Sequence, residues 1–179
     1  MLVYNCHCKG DVRIWSGPEG SSHKNLVPCT MTFYLGEYMN IFFKQIIKEL
    51  EKCKKSQDVP VSAVIVDKNN ILVSKGYNTR QKKYNFCNHA EINAINSLFK
   101  KNKNKNLSDY KLIVTLKPCL MCITVIEQAN IKKVYYYLEN IKCDYSKYIT
   151  SIIFLKINDE EQKKIIEKKL KSFFLNLRK

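Results

Sequence analysis

The chain has 179 residues, 45% of them apolar, which suits one domain with ample length for a core. Its eight cysteines are too sparse for a small disulfide scaffold, no apolar run approaches transmembrane length, and Met1 to Trp15 is too broken by polar residues to be a secretory signal, so a reducing cytoplasm is expected. Lys and Arg number 31 against 16 Asp and Glu, a net charge of +15 that points to a polyanionic partner, nucleic acid first, although Lys is abundant throughout and drift in composition accounts for part of it.

Residues 1–38 differ from the rest of the chain. Lys9, Arg13 and Lys24 balance Asp11, Glu19 and Glu37, so the whole excess charge belongs to residues 39–179. Ser16 to Ser22 is loop-like, and Cys6, His7, Cys8, His23 and Cys29 fit no standard metal spacing. We read 1–38 as a disordered extension and 39–179 as the working domain. From Met39, the residues Phe42, Phe43, Ile46, Ile47 and Leu50 form a helical apolar stripe. Val59 to Val66 reads as a buried strand and Ile71 to Tyr77 as its hairpin partner across Asp67-Lys68-Asn69-Asn70. A loop from Asn78 to Asn88 leads into a second helix with Ile92, Ile95, Leu98 and Phe99 on one face. Lys100 to Ser108 is a Lys/Asn-rich connector. Lys111 to Leu116 is a third strand, followed by a helix with Ile123, Val125, Ile126 and Ala129 inward. Lys132 to Tyr137 and Ser151 to Leu155 supply two more strands. Asn158-x-x-Glu161 resembles a capping box, opening a last helix with Ile166, Leu170, Phe173, Phe174 and Leu177 on one face. This order predicts a three-layer α/β/α sandwich on one mixed sheet.

Two clusters of polar residues interrupt this apolar pattern. His89-Ala90-Glu91 opens one predicted helix, and Pro118-Cys119-Leu120-Met121-Cys122 opens another. One imidazole and two thiolates fill three of the four tetrahedral positions of Zn²⁺ and leave the fourth for water. A helix N-terminus favours the thiolate form. A carboxylate beside that water moves its proton, and Glu91 is that carboxylate. Either half alone has a bland reading, as a redox Cys pair or an ordinary helix His. Together they read H-x-E…P-C-x-x-C, the zinc-deaminase signature. Cys87, two residues before His89, is either a fourth ligand of a closed structural site or part of the pocket wall. We expect the wall, because Glu91 has no role in a closed site.

Most of residues 39–179 resembles the cytidine deaminase-like superfamily and, within it, the bacterial-type wobble tRNA adenosine deaminases. The resemblance rests on Val59-Pro60-Val61-Ser62-Ala63-Val64-Ile65-Val66, Gly76-Tyr77-Asn78, His89-Ala90-Glu91-Ile92, Val114 to Cys122, and Phe173-Phe174 with Arg178 beyond. It implies conversion of adenosine to inosine at the first anticodon position of tRNA. His89, Cys119 and Cys122 would hold one Zn²⁺, Glu91 would shuttle the proton, and Asn78 would contact the flipped base or its ribose. It also implies a homodimer that binds the tRNA anticodon stem-loop across both subunits. This chain departs from the family in four places. Ser62 stands for Gly, and Lys117 stands for an acidic residue before Pro-Cys. Asn85-Phe86-Cys87-Asn88 replaces the usual loop before the His. Leu138-Glu139-Asn140-Ile141-Lys142 comes after the Tyr run. The competing readings are a deoxycytidylate or cytosine-type nucleotide deaminase, and a non-catalytic zinc-containing RNA-binding subunit. The presence of Glu91 counts against the second.

Overall fold

In the computed structural model the described residues are 29–145 and 148–177, with side chains described from residue 40 onward. Helix α1 (Cys29–Glu51) passes through residue 39, the position that the sequence pattern marks as the start of the domain. Of the disordered extension expected over residues 1–38, residues 29–38 are instead the first part of α1, whereas residues 1–28, with Cys6, His7, Cys8 and His23, lie outside the described residues, as do the side chain of Cys29 and Arg178.

Strand β1 (Ser62–Val66) starts later than the apolar run suggested. Pro60 has no N–H to give to a ladder, and Val61 N closes a tight turn on Val59 O at 2.8 Å. The hairpin to β2 (Leu72–Tyr77) turns on Asp67, whose Oδ1 accepts from the backbone of Asn69 and Ile71 at 2.9 and 2.8 Å. Next come α2 (Ala90–Asn102), β3 (Lys111–Leu116), α3 (Leu120–Gln128), β4 (Lys133–Leu138), β5 (Ile153–Lys156) and α4 (Glu160–Asn176). The cap of α4 is one residue later than expected: Asp159 accepts from Gln162 N at 3.0 Å, so Asp159 and Gln162 take the places read as Asn158 and Glu161.

The sheet order is β2-β1-β3-β4-β5. β1 is antiparallel to both neighbours and the other pairs are parallel, so β2 to β5 all point the same way. The period of two along the strands sorts side chains between two cores. Ala63, Ile65, Leu112, Val114, Val134 and Tyr136 join Ile92, Ile95, Leu98, Ile123 and Ile126 on the α2 and α3 side. Val64, Val66, Ile113 and Tyr137 join Phe42, Ile46, Leu50 and Ile166 on the α1 and α4 side. This is the expected three-layer α/β/α sandwich on a mixed sheet. Two apolar predictions shift: Phe99 is partly exposed, and the end of the α4 stripe at Leu177 is exposed.

The Ser62 hydroxyl donates to Ile46 O at 2.8 Å, fastening β1 to α1 in a fully buried place. Among the described residues no helix is long and apolar enough to cross a membrane.

Candidate metal centre and catalytic cleft

β2 and β3 end on the same side of the sheet, on either side of β1, and each hands the chain to a helix. The residues at those two helix starts adopt nearly the same backbone: His89 has φ −73° and ψ 159°, Cys119 φ −74° and ψ 168°. Each carbonyl accepts the first helical hydrogen bond, from Asn93 N and Ile123 N, both at 2.9 Å. Neither side chain caps its own helix, so imidazole and thiol are both left for another partner.

They meet each other and Cys122. Cys119 Sγ lies 3.7 Å from Cys122 Sγ and 3.6 Å from His89 Nδ1, and Cys122 Sγ lies 3.4 Å from the same nitrogen. A tetrahedral zinc with ordinary bond lengths requires about 3.8 Å between sulfurs and about 3.5 Å from sulfur to nitrogen. The three side chains therefore fit the ion, and among the described residues they form the one such group that could hold a metal. Three ligands leave a coordination position open, as a catalytic rather than a closed structural site requires.

Cys87 is neither fourth ligand nor pocket wall. It is exposed, and it is absent from the cleft lining. The loop before His89 turns Cys87 out to solvent while its carbonyl accepts from His89 N at 2.8 Å.

The electrostatics single out one of the two thiols. The hydrogen bond from Cys122 holds Cys119 down to about 4, with burial opposing it and His89 assisting. The same hydrogen bond, and then burial, push Cys122 up. His89 is raised chiefly by its hydrogen bond to Cys119, against burial. Without metal the cluster thus carries one thiolate easily, and the second proton must leave when a metal takes both sulfurs. Glu91, in the first turn of α2, is 4% exposed and pushed up to about 7, mainly by burial, with His89 opposing.

The cluster faces a cleft of about 450 Å³ whose lining includes Asn78, His89, Glu91, Lys117, Cys119 and Phe173. Asn78 is buried, with Nδ2 donating to Val59 O at 3.1 Å and Oδ1 accepting from Arg80 N at 3.3 Å. That leaves one amide hydrogen and one lone pair unspent.

Lys117, the cation that replaces an expected acid, is accounted for here. Its Nζ lies 4.5 Å from the Tyr145 ring centroid, 5.3 Å from that of Tyr136 and 5.6 Å from that of Phe154. It also pairs with Glu139 at 3.4 Å, so ring faces and a carboxylate offset the charge beside the metal loop.

Four residues that sequence reasoning assigned no such role hold the site in place. A Cβ on Gly76 would stand 2.4 Å from Ala90 O and 2.6 Å from Ala94 N, so only glycine lets β2 lie this close to the start of α2. Buried Asp58 accepts from Gln81 N at 2.6 Å, Lys82 N at 3.2 Å and Ser56 Oγ at 2.7 Å. Asn93 Nδ2 reaches Tyr77 O, Thr79 Oγ1 and Asn88 O at 2.8, 3.0 and 3.2 Å, tying both ends of the loop before His89. Tyr145 donates to Pro118 O at 2.8 Å, bracing the other helix start. Two of them had a sequence signal: Asn93 sits one helical turn after His89, on the same face, and Gly76 stands in the Gly76-Tyr77-Asn78 text of the family resemblance.

The family model of the cytidine and deoxycytidylate deaminase zinc-binding region matches residues 37–138. A tRNA-specific adenosine deaminase from Rickettsia bellii is 43% identical over 94 residues, covering 52% of this chain and 65% of that protein. One from Streptococcus pyogenes serotype M18 is 35% identical over 109 residues, covering 61% of this chain and 68% of that protein. The chain thus spans a little under two-thirds of the length of the Rickettsia relative. A solved structure from work on A-to-I editing by tRNA:A34 deaminases at the wobble position of transfer RNA superposes with a TM-score of 0.59. It covers 66% of this chain and 99% of that one at 22% identity, a likeness of fold.

Proposed function

The chain belongs to the cytidine and deoxycytidylate deaminase zinc-binding family, and from that premise we propose that it hydrolyses adenosine to inosine, with release of ammonia, at the wobble position of tRNA. The observation that carries the chemistry is Glu91, a buried carboxyl at the cleft, two residues from His89 and against Cys122. The Rickettsia and Streptococcus relatives and the charge of +15 support tRNA as the substrate.

His89, Cys119 and Cys122 would hold the zinc. When bound, it supplies the lowered pKa of a water ligand and so a nucleophile at neutral pH. Glu91 takes a proton from the attacking water and later gives it to the departing amine. A carboxyl raised to about 7 can do both near neutrality. Asn78, fixed by Val59 and Arg80, offers its free amide hydrogen and lone pair to the extruded base or its ribose. The cleft has room for one nucleoside, so the remaining affinity comes from flanking nucleotides and phosphates. A homodimer working on the anticodon stem-loop in the cytoplasm completes the proposal, with residues 39–179 as its functional part.

The deciding experiment incubates the zinc-loaded protein with total tRNA and, separately, with deoxycytidylate. Inosine should appear at the first anticodon position, detected by mass analysis of the anticodon nucleosides. Ammonia from deoxycytidylate with no inosine in tRNA would establish the nucleotide deaminase instead.

A further inference from the structure

The loop from Thr79 to Asn88 holds its backbone firmly and leaves two aromatic rings in water. Tyr84 is 93% exposed and Phe86 74% exposed. Chain motion does not account for that exposure. Within the loop Lys83 N donates to Thr79 O, Asn85 N to Arg80 O and Asn88 N to Asn85 O, at 3.0, 3.1 and 3.2 Å. Asp58 and Asn93 anchor it from outside. Nor does local folding preference account for it. Tyr84 has φ 49°, a left-handed conformation that glycine or asparagine adopts far more readily than a bulky aromatic.

Three cations precede the rings on the same loop. Arg80 lies 4.6 Å from the Phe86 ring centroid, and Lys82 and Lys83 stand between them in sequence. The loop contains no acidic residue. Arg80 and Gln81 also line the catalytic cleft, so the rings stand on the segment that forms its rim. Exposed aromatic faces next to a run of cations beside a cleft suit unpaired nucleic acid, where each base offers a face and each phosphate a negative charge. A second copy of this chain is a poorer occupant, because a twofold contact here would set three cations against the same three.

Given the reading of RNA as substrate, we propose that Tyr84 and Phe86 form a stacking platform for the unpaired bases that flank the extruded nucleotide, with Arg80, Lys82 and Lys83 neutralising the phosphates between them. The platform would give binding energy without reading sequence.

The test measures fluorescence anisotropy of a short labelled oligouridine, which contains no adenosine and so reports on the platform independently of the deamination chemistry. Tyr84→Gly and Phe86→Ala should each raise the dissociation constant about tenfold. The salt dependence should stay as in the parent, whereas Lys82→Gln and Lys83→Gln should flatten it. Tyr84→Trp should keep the parent affinity. Glycine suits the backbone at position 84, so Tyr84→Gly should melt at or above the parent temperature, which separates lost stacking from lost fold. Dissociation constants within about twofold of the parent for both ring variants, or no oligouridine binding by the parent, would overturn the proposal. So would sedimentation showing that the ring variants dissociate a dimer while oligouridine affinity per protomer is unchanged. If ring-dependent binding holds but tRNA acquires no inosine, the platform stands and the deaminase reading of substrate fails.

Discussion

Two strand-to-helix crossings build the cleft, and they do so in opposite styles. Between β3 and α3 the chain needs three residues, Lys117, Pro118 and Cys119, and the third is a metal ligand. Between β2 and α2 it takes twelve, from Asn78 to His89, and again only the last is a ligand. The short crossing has little freedom: proline limits its backbone and the strand aims it. The long crossing gets its shape from side chains elsewhere, Asp58 before β1 and Asn93 inside α2. Metal chemistry therefore sits at the end of both crossings, while the capacity to present different surfaces to a substrate sits in the long one.

Removing a thiol ligand at the end of the short crossing or in the first turn of α3 should have the largest effect. Cys119→Ala or Cys122→Ala should drop zinc from one per chain to near none by elemental analysis, and turnover to background. Because Cys122 keeps its proton in the metal-free cluster and must lose it to bind, zinc affinity should weaken as pH falls and strengthen as it rises, measurable by chelator competition. An affinity flat with pH would mean that the two thiols do not both ligate.

On the long crossing's helix, Glu91→Gln should keep zinc and fold but lose about a hundred- to ten-thousandfold in turnover, since the amide cannot accept a proton. It should also change stability. In metal-free protein the raised carboxyl favours the folded state at low pH, and that contribution fades as pH rises from the ordinary 4.5 through about 7. Metal-free Glu91→Gln should therefore gain on the parent with rising pH in denaturant titrations. A rate near the parent's would remove Glu91 from the chemistry.

Gly76→Ala tests whether β2 and α2 must touch. Its Cβ meets backbone rather than flexible side chain, so a loss of about 3 kcal/mol in unfolding free energy is expected. Asp58→Asn should loosen only the long crossing, costing about 1–3 kcal/mol as one acceptor becomes a donor facing an N–H. Zinc content should hold while turnover falls. Parallel loss of zinc would show that the loop also sets His89. The smallest effect should come from Tyr145→Phe, which deletes one hydrogen bond to Pro118 O and costs about 1 kcal/mol.

The legibility of the sequence divides in the same way. The third strand, the two helix starts and the ligand trio were legible, because spacing along a regular element converts directly into position. The three layers were legible from the order of helices and strands along the chain, whereas the face that each of Val64 to Val66 and Leu112 to Val114 takes was not, because all of them are apolar. Cys87 was misplaced because a loop of twelve residues has no period from which to infer which way a side chain turns. The α4 cap was missed by one residue because Asn158 and Asp159 are equally good caps, and only the helix's packing through Ile166 and Gln162 chooses between them. Lys117 looked like a charge in the wrong place until Tyr136, Tyr145 and Phe154, remote in sequence, were seen around it.

The reverse strand between the two crossings bears on how the protein comes into being. His89 and Cys119 are 30 positions apart. They meet only after β1 has paired with both neighbours, Ala63 with Gly76 on one side and Val114 on the other. In a chain still unfolded, or still emerging during synthesis, zinc can find Cys119 and Cys122 together but not the imidazole. The ion is therefore a latch rather than a nucleus. It should leave the refolding rate nearly unchanged and lengthen the lifetime of the folded state, so cells short of zinc would make the protein at the normal pace and lose it sooner.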